Sequence, residues 1–134
     1  METLRAREVH AGDELPSLDV PITTTLVVVA ALASRDFQDV HHDAELARAS
    51  GAKDVFMNIL TTNGFVGRFV TDWSGPDAII QKVSIRLGVP NYPGDTMKLT
   101  GAVKKVDGNE VEVDVRGANS LGDHVTGTVK VQLP

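Results

Sequence analysis

The chain has no cysteine in its 134 residues. Disulfides, thiolate metal centres and cysteine nucleophiles are therefore excluded, and the composition fits a reducing compartment. It has no basic cluster, and its net charge is −5, so no nucleic-acid partner is expected. It has no long apolar run. "LVVVAALA" at 26–33 is the longest, and it is too short to span a bilayer, so no membrane association is expected. The N-terminus "METLRAREVHAGDE" has no apolar core of a signal peptide, which makes a cytoplasmic protein the expectation. G-x-S-x-G is missing, so a serine nucleophile has no support. "GVPNYPG" at 88–94 lacks the lysine and spacing of a phosphate loop.

What is there suits one domain with a core of ordinary size. Residues 1–14 read as a flexible N-terminal arm and 15–134 as the domain. "PITTTLVVVAALAS" (21–34) is β-branched and unalternating, which predicts a buried strand. "DAELARASG" (43–51) predicts a short helix, with Asp43 as cap and Gly51 past its end. "DVFMNILTTNGFVGRFVTDW" (54–73) has apolar residues at helical spacing and predicts a long buried helix, despite Gly64 and Gly67. Four strand candidates follow, at 78–89, 97–106, 110–115 and 124–133. Asp107–Gly108 marks a tight hairpin between the middle two. A mainly antiparallel sheet with one central helix on its face follows from that order, an α+β fold.

The chemistry concentrates in "RDFQDVHHD" (35–43), which holds two of the four histidines. A loop between two elements would let Asp36 and His41 converge on one water as a general acid–base pair. The same two residues serve equally well as a turn-capping aspartate and a packed histidine, and spacing alone does not choose. Adjacent histidines point in different directions, so His41 and His42 make a poor metal pair, and no metal is expected. The head of the long helix, near Phe56, Met57 and Asn58, offers N–H groups without intrahelical partners. These could hold a developing oxyanion, or Asp54 could simply cap them.

Three stretches, taken together, resemble one family. "RDFQDVHHDAELARASG" is similar to the D-x4-H segment of MaoC-like enoyl-CoA hydratases, with Asp36 and His41 on the catalytic pair. "VSIRLGVPNYPGDTMKLTGAV" resembles that family's loop signature through Pro90, Gly94, Asp95 and Thr96, and "LGDHVTGTVKVQLP" its closing strand. The resemblance covers nearly everything from residue 20 onward. It is strongest to the small subunit of bacterial steroid side-chain enoyl-CoA hydratases. It implies a hot-dog fold, an antiparallel sheet wrapped around a long central helix. It implies water addition to an α,β-unsaturated acyl-CoA, with Asp36 and His41 as acid–base residues and the Asn58 N–H as oxyanion donor. No cofactor is implied, because coenzyme A is part of the substrate. The implied partner is a larger subunit with MaoC-like and DUF35-type domains, in a hot-dog dimer or heterotetramer. Two departures stand out: Asn58 replaces the family's usual glycine at the helix head, and "QDV" replaces Asn-Pro before the histidine. Two other roles remain open on the residues: a non-catalytic subunit completing a partner's site, and a thioesterase. The thioesterase would need its acid on the central helix, where only Asp54 and Asp72 are available.

Overall fold

The computed structural model describes all 134 residues. The chain order is β1 (Glu14–Pro21), α1 (Thr24–Ala33), α2 (Ala44–Ala49), α3 (Ile59–Ser74), then β2 (Ile79–Leu87), β3 (Thr96–Asp107), β4 (Glu110–Asn119) and β5 (Gly122–Gln132). The strands form one antiparallel sheet in the order β1-β3-β4-β5-β2.

Alternation builds the sheet's inner face. Met97, Leu99 and Val103 of β3 are buried, as are Val111, Val113 and Val115 of β4 and Val125, Val129 and Val131 of β5. α3 presents Val66, Phe69 and Val70 from its own apolar stripe, and all belong to the same core. A glycine is required where helix and sheet come closest. A Cβ at Gly101 would lie 2.9 Å from the Phe69 ring, so any side chain there would displace it. The β3–β4 hairpin closes through Gly108, in the left-handed region at φ 59°, with Asp107 paired to Glu110.

Three expectations change. The 21–34 stretch is not a strand: β1 ends at Pro21, and Thr24–Ala33 is helix α1. Thr23 caps it by accepting the Leu26 N–H at 3.0 Å, and only Val27 and Ala31 are fully inside. A short apolar run is ambiguous between buried strand and helix, and here the cap and the alanines prevail over β-branched preference. Residues 1–14 are not a loose arm. The Leu4 N–H donates to Ser74 O at 2.9 Å and the Ala6 N–H to Pro134 O at 3.2 Å, while Ala6 and Val9 join the core. Finally, α3 begins at Ile59, with Asn58 as its cap, four residues beyond Asp54. Asp54 instead accepts the N–H of its neighbour Val55.

Candidate active site

The site is built where α1 ends. Ser34 closes the helix, and Arg35 follows in the left-handed region at φ 57°. This reverses the chain, so that the Asp36 N–H donates back to Ala31 O at 2.9 Å. A left-handed non-glycine residue costs about 1–2 kcal/mol, and here the strained residue sits immediately before Asp36. A 3₁₀ turn at Asp39–His41 then carries His41 inward, where it is 5% exposed.

Asp36 and His41 meet. The His41 Nε2 lies 3.4 Å from Asp36 Oδ2. The His41 Nδ1 is 2.7 Å from the Phe56 carbonyl oxygen, which only accepts, so Nδ1 carries the proton. In the neutral ring Nε2 is therefore a bare acceptor facing a carboxylate. The Phe56 ring packs edge-on against the imidazole at 5.0 Å and holds its plane.

Asn58 ties this pair to the head of α3. Its Oδ1 accepts the Thr61 N–H at 3.0 Å as the helix cap, and its Nδ2 donates to Asp36 Oδ2 and to Ser34 Oγ, each at 3.0 Å. Ser34 in turn donates to the Ala30 carbonyl oxygen at 2.8 Å. The Asn58 amide is the main reason the Asp36 carboxyl is held below the ordinary carboxylate range. Partial burial opposes it, and the Gln38 N–H and nearby His41 reinforce it. No backbone carbonyl or side chain accepts from the N–H groups of Asn58, Ile59 or Leu60, so the helix head presents free donors beside the pair.

The loop signature acts as a brace. Asp95 accepts from the Ser120 hydroxyl and from the Thr96 and Ser120 N–H groups, which together hold its carboxyl low. Gly94 sits in the left-handed region at φ 93°, and its N–H bonds Ile22 O at 2.8 Å. Pro90 accepts from Asn119, and the buried Asn91 carbonyl takes the Met57 N–H at 3.1 Å. The signature thus pins the segment that leads into Asn58.

His41 and His42 diverge: His42 turns outward, with Nε2 3.2 Å from Phe37 O and 3.9 Å from Asp39. Asp43 caps α2 by accepting the Leu46 N–H. Two contributors went unseen in the sequence. Ser34 would have been visible had α1 been read as a helix ending beside Asp36. The other is His124, fully buried beneath the first turn of α3. Its Nε2 is 2.9 Å from the Thr62 hydroxyl and its Nδ1 2.7 Å from Val89 O. Its strand parity is opposite to Val125, Val129 and Val131, so alternation carries no sign of its burial.

Similarity to known proteins bears on this arrangement. No protein-family model matches the chain. It is 51% identical, over 91% of its length and 95% of the relative's, to the 3-oxo-4,17-pregnadiene-20-carboxyl-CoA hydratase beta subunit of Mycobacterium tuberculosis. A chain of the crystal structure of the ChsH1–ChsH2 complex from Mycobacterium tuberculosis superposes with a TM-score of 0.92 at 50% identity, covering 93% of this chain and 98% of that one. A MaoC-like dehydratase superposes at 0.91 with 25% identity, over 98% of this chain and 43% of the other. With an antiparallel sheet wrapped around α3 and half its residues shared with a hydratase subunit, the chain belongs to the MaoC-like hot-dog enoyl-CoA hydratases.

Proposed function

We propose that this chain adds water across the double bond of a steroid side-chain enoyl-CoA, with Asp36 and His41 as its acid–base pair. The observation that carries the reading is two acceptors, Asp36 Oδ2 and His41 Nε2, facing each other at 3.4 Å next to the free N–H groups of α3. One water donating a hydrogen to each satisfies both. Its oxygen is then directed at the β-carbon of a thioester lying against the helix head. One proton leaves the water to the pair as the C–O bond forms, and the pair returns one proton to the α-carbon. The sum is one water gained. Negative charge that builds on the thioester oxygen meets the unpaired N–H groups of Asn58, Ile59 and Leu60, where one lost donor typically costs about 3 kcal/mol of barrier.

The substrate class rests on the relative, whose name specifies a pregnadiene carboxyl-CoA. The same relationship supports a second, larger subunit as partner, since the structurally similar chain occurs in a two-protein complex. Val29, Leu32, Phe37 and Leu46 leave apolar surface exposed around the site, as a partner contact would. The thioesterase alternative loses ground, because Asp54 lies outside α3 and Asp72 pairs with Arg68 at its far end.

The test is hydration of a steroid side-chain enoyl-CoA, read by mass as added water, with wild type and Asp36→Asn, each alone and with the larger subunit. Asp36→Asn is expected to lose about 10²–10⁴-fold in rate while its thermal unfolding stays cooperative. Equal rates for both proteins in the complex would place the chemistry in the partner.

A further inference from the structure

We infer that the groove between α1 and α3 is the ring-binding subsite, that Gly64 sets its width, and that Arg68 donates a hydrogen bond to a polar oxygen at the distal end of the ring system. This rests on the steroid thioester reading above and goes beyond it by naming what recognises the rings.

The groove is shallow and open to solvent along its length, and offers about 420 Å³, a volume within the range of small-molecule sites. It starts at Ser34 and Thr61, both bonded to Asn58, so it is continuous with the Asp36 cluster. Its walls are apolar and mostly small on the α1 side, with Leu26, Ala30 and Ala33 facing Leu60 and Phe65 of α3. A Cβ at Gly64 would meet nothing within 4 Å, so this glycine faces the opening and leaves it wide. A thin acyl chain has no need of that width, whereas a fused ring nucleus does.

Arg68 lies at the other end, ten residues along the helix from Asn58, or about 15 Å at 1.5 Å per residue. A four-ring nucleus whose side chain reacts at Asp36 reaches within an arginine's length of that point. The Arg68 Nε is paired with Asp72 Oδ2 at 3.3 Å, while its terminal nitrogens bond no protein group. The side chain is 55% exposed, so these nitrogens face solvent at the end of an apolar groove, where a ligand oxygen can replace water. A ring ketone supplies the acceptor and a hydrocarbon tail does not. The relative's substrate carries such an oxo group on its ring system.

The experiment measures kcat/KM for hydration by the chain with its partner subunit, using three thioesters: the oxo-steroid enoyl-CoA, the same compound lacking the ring oxo group, and 2-butenoyl-CoA. Arg68→Met is expected to lower the oxo-to-deoxy selectivity ratio about tenfold. Gly64→Leu is expected to lower the ratio of either steroid to 2-butenoyl-CoA by more than that. Ratios that stay at wild-type values, with wild type hydrating both steroids, would overturn the subsite and leave the steroid reading standing. A wild-type enzyme that hydrates 2-butenoyl-CoA and neither steroid would overturn both.

Discussion

Asn58 uses the two ends of one amide for two tasks. Its oxygen caps α3, and its nitrogen holds Asp36 ionised. Asn58→Ala should therefore show two effects. Loss of the cap should cost about 1 kcal/mol in denaturant unfolding, as N-cap truncations do. With the main lowering contact gone and burial remaining, the Asp36 pKa should rise, and the acid limb of kcat/KM should move to higher pH. The linkage sign agrees. A depressed carboxylate stabilises the fold above its unfolded pKa, and that contribution is lost as pH falls through the folded value. The stability gap between wild type and Asn58→Ala should accordingly narrow toward acid pH. Of this cluster, Asp36 and His41 were visible in the sequence as candidates because both lie in one loop five residues apart, and the family resemblance rather than the spacing singled them out. The inward amide of Asn58 was not, because it reaches a partner 22 residues away in the chain.

Between elements, His124 joins three pieces: β5 carries it, Thr62 of α3 donates to it, and Val89 after β2 accepts from it. In this arrangement Nδ1 is the donor and Nε2 the acceptor, so the ring is neutral. Burial depresses its pKa, and the Val89 carbonyl only partly offsets this. The unfolded chain then binds a proton near pH 6.5 that the folded chain does not take until lower pH. Stability from this site is complete above about pH 6.5 and falls as pH drops from there toward the depressed value. His124→Gln should flatten the denaturation midpoint against pH in that window, where Asp36 and Asp95 do not titrate, both being held below the ordinary carboxylate value of 3.8. A slope equal to wild type would rule His124 out as its source. The opposite lesson comes from α1. Its composition favours a strand, and the helix is decided by Thr23 at its start and by packing of Val27 and Ala31.

Across the whole molecule, the first residues and the last close the core together. Ala6 and Val9 are buried, Ala6 bonds Pro134, and Gly75 at φ 96° admits the Thr3 backbone where a Cβ would collide at 2.5 Å. Deleting residues 1–9 should therefore destabilise the domain by about 2–4 kcal/mol, the scale of two apolar side chains and their backbone bonds. Chemical denaturation measures this directly, and an unchanged midpoint would mean the segment is an arm after all. Polar, charged lettering such as "METLRAREVHAGDE" hides the role, because its inward apolar residues are few and scattered: Ala6 and Val9 in the core, and Leu4 half-buried against it.

Periodic and local features were decided by the amino-acid order itself. The alternation of β4 and β5, the Asp107–Gly108 turn, the Asp43 cap, the apolar stripe of α3 and the Asp36–His41 spacing all act over a few residues, within reach of short-range sterics and hydrogen bonding. Tertiary structure alone decided the strapped N-terminus, the buried His124 and the convergence of Ser34 and Asn58 on Asp36. In each of these the deciding contact joins residues far apart in the chain, so its free energy exists only once the sheet and α3 have come together.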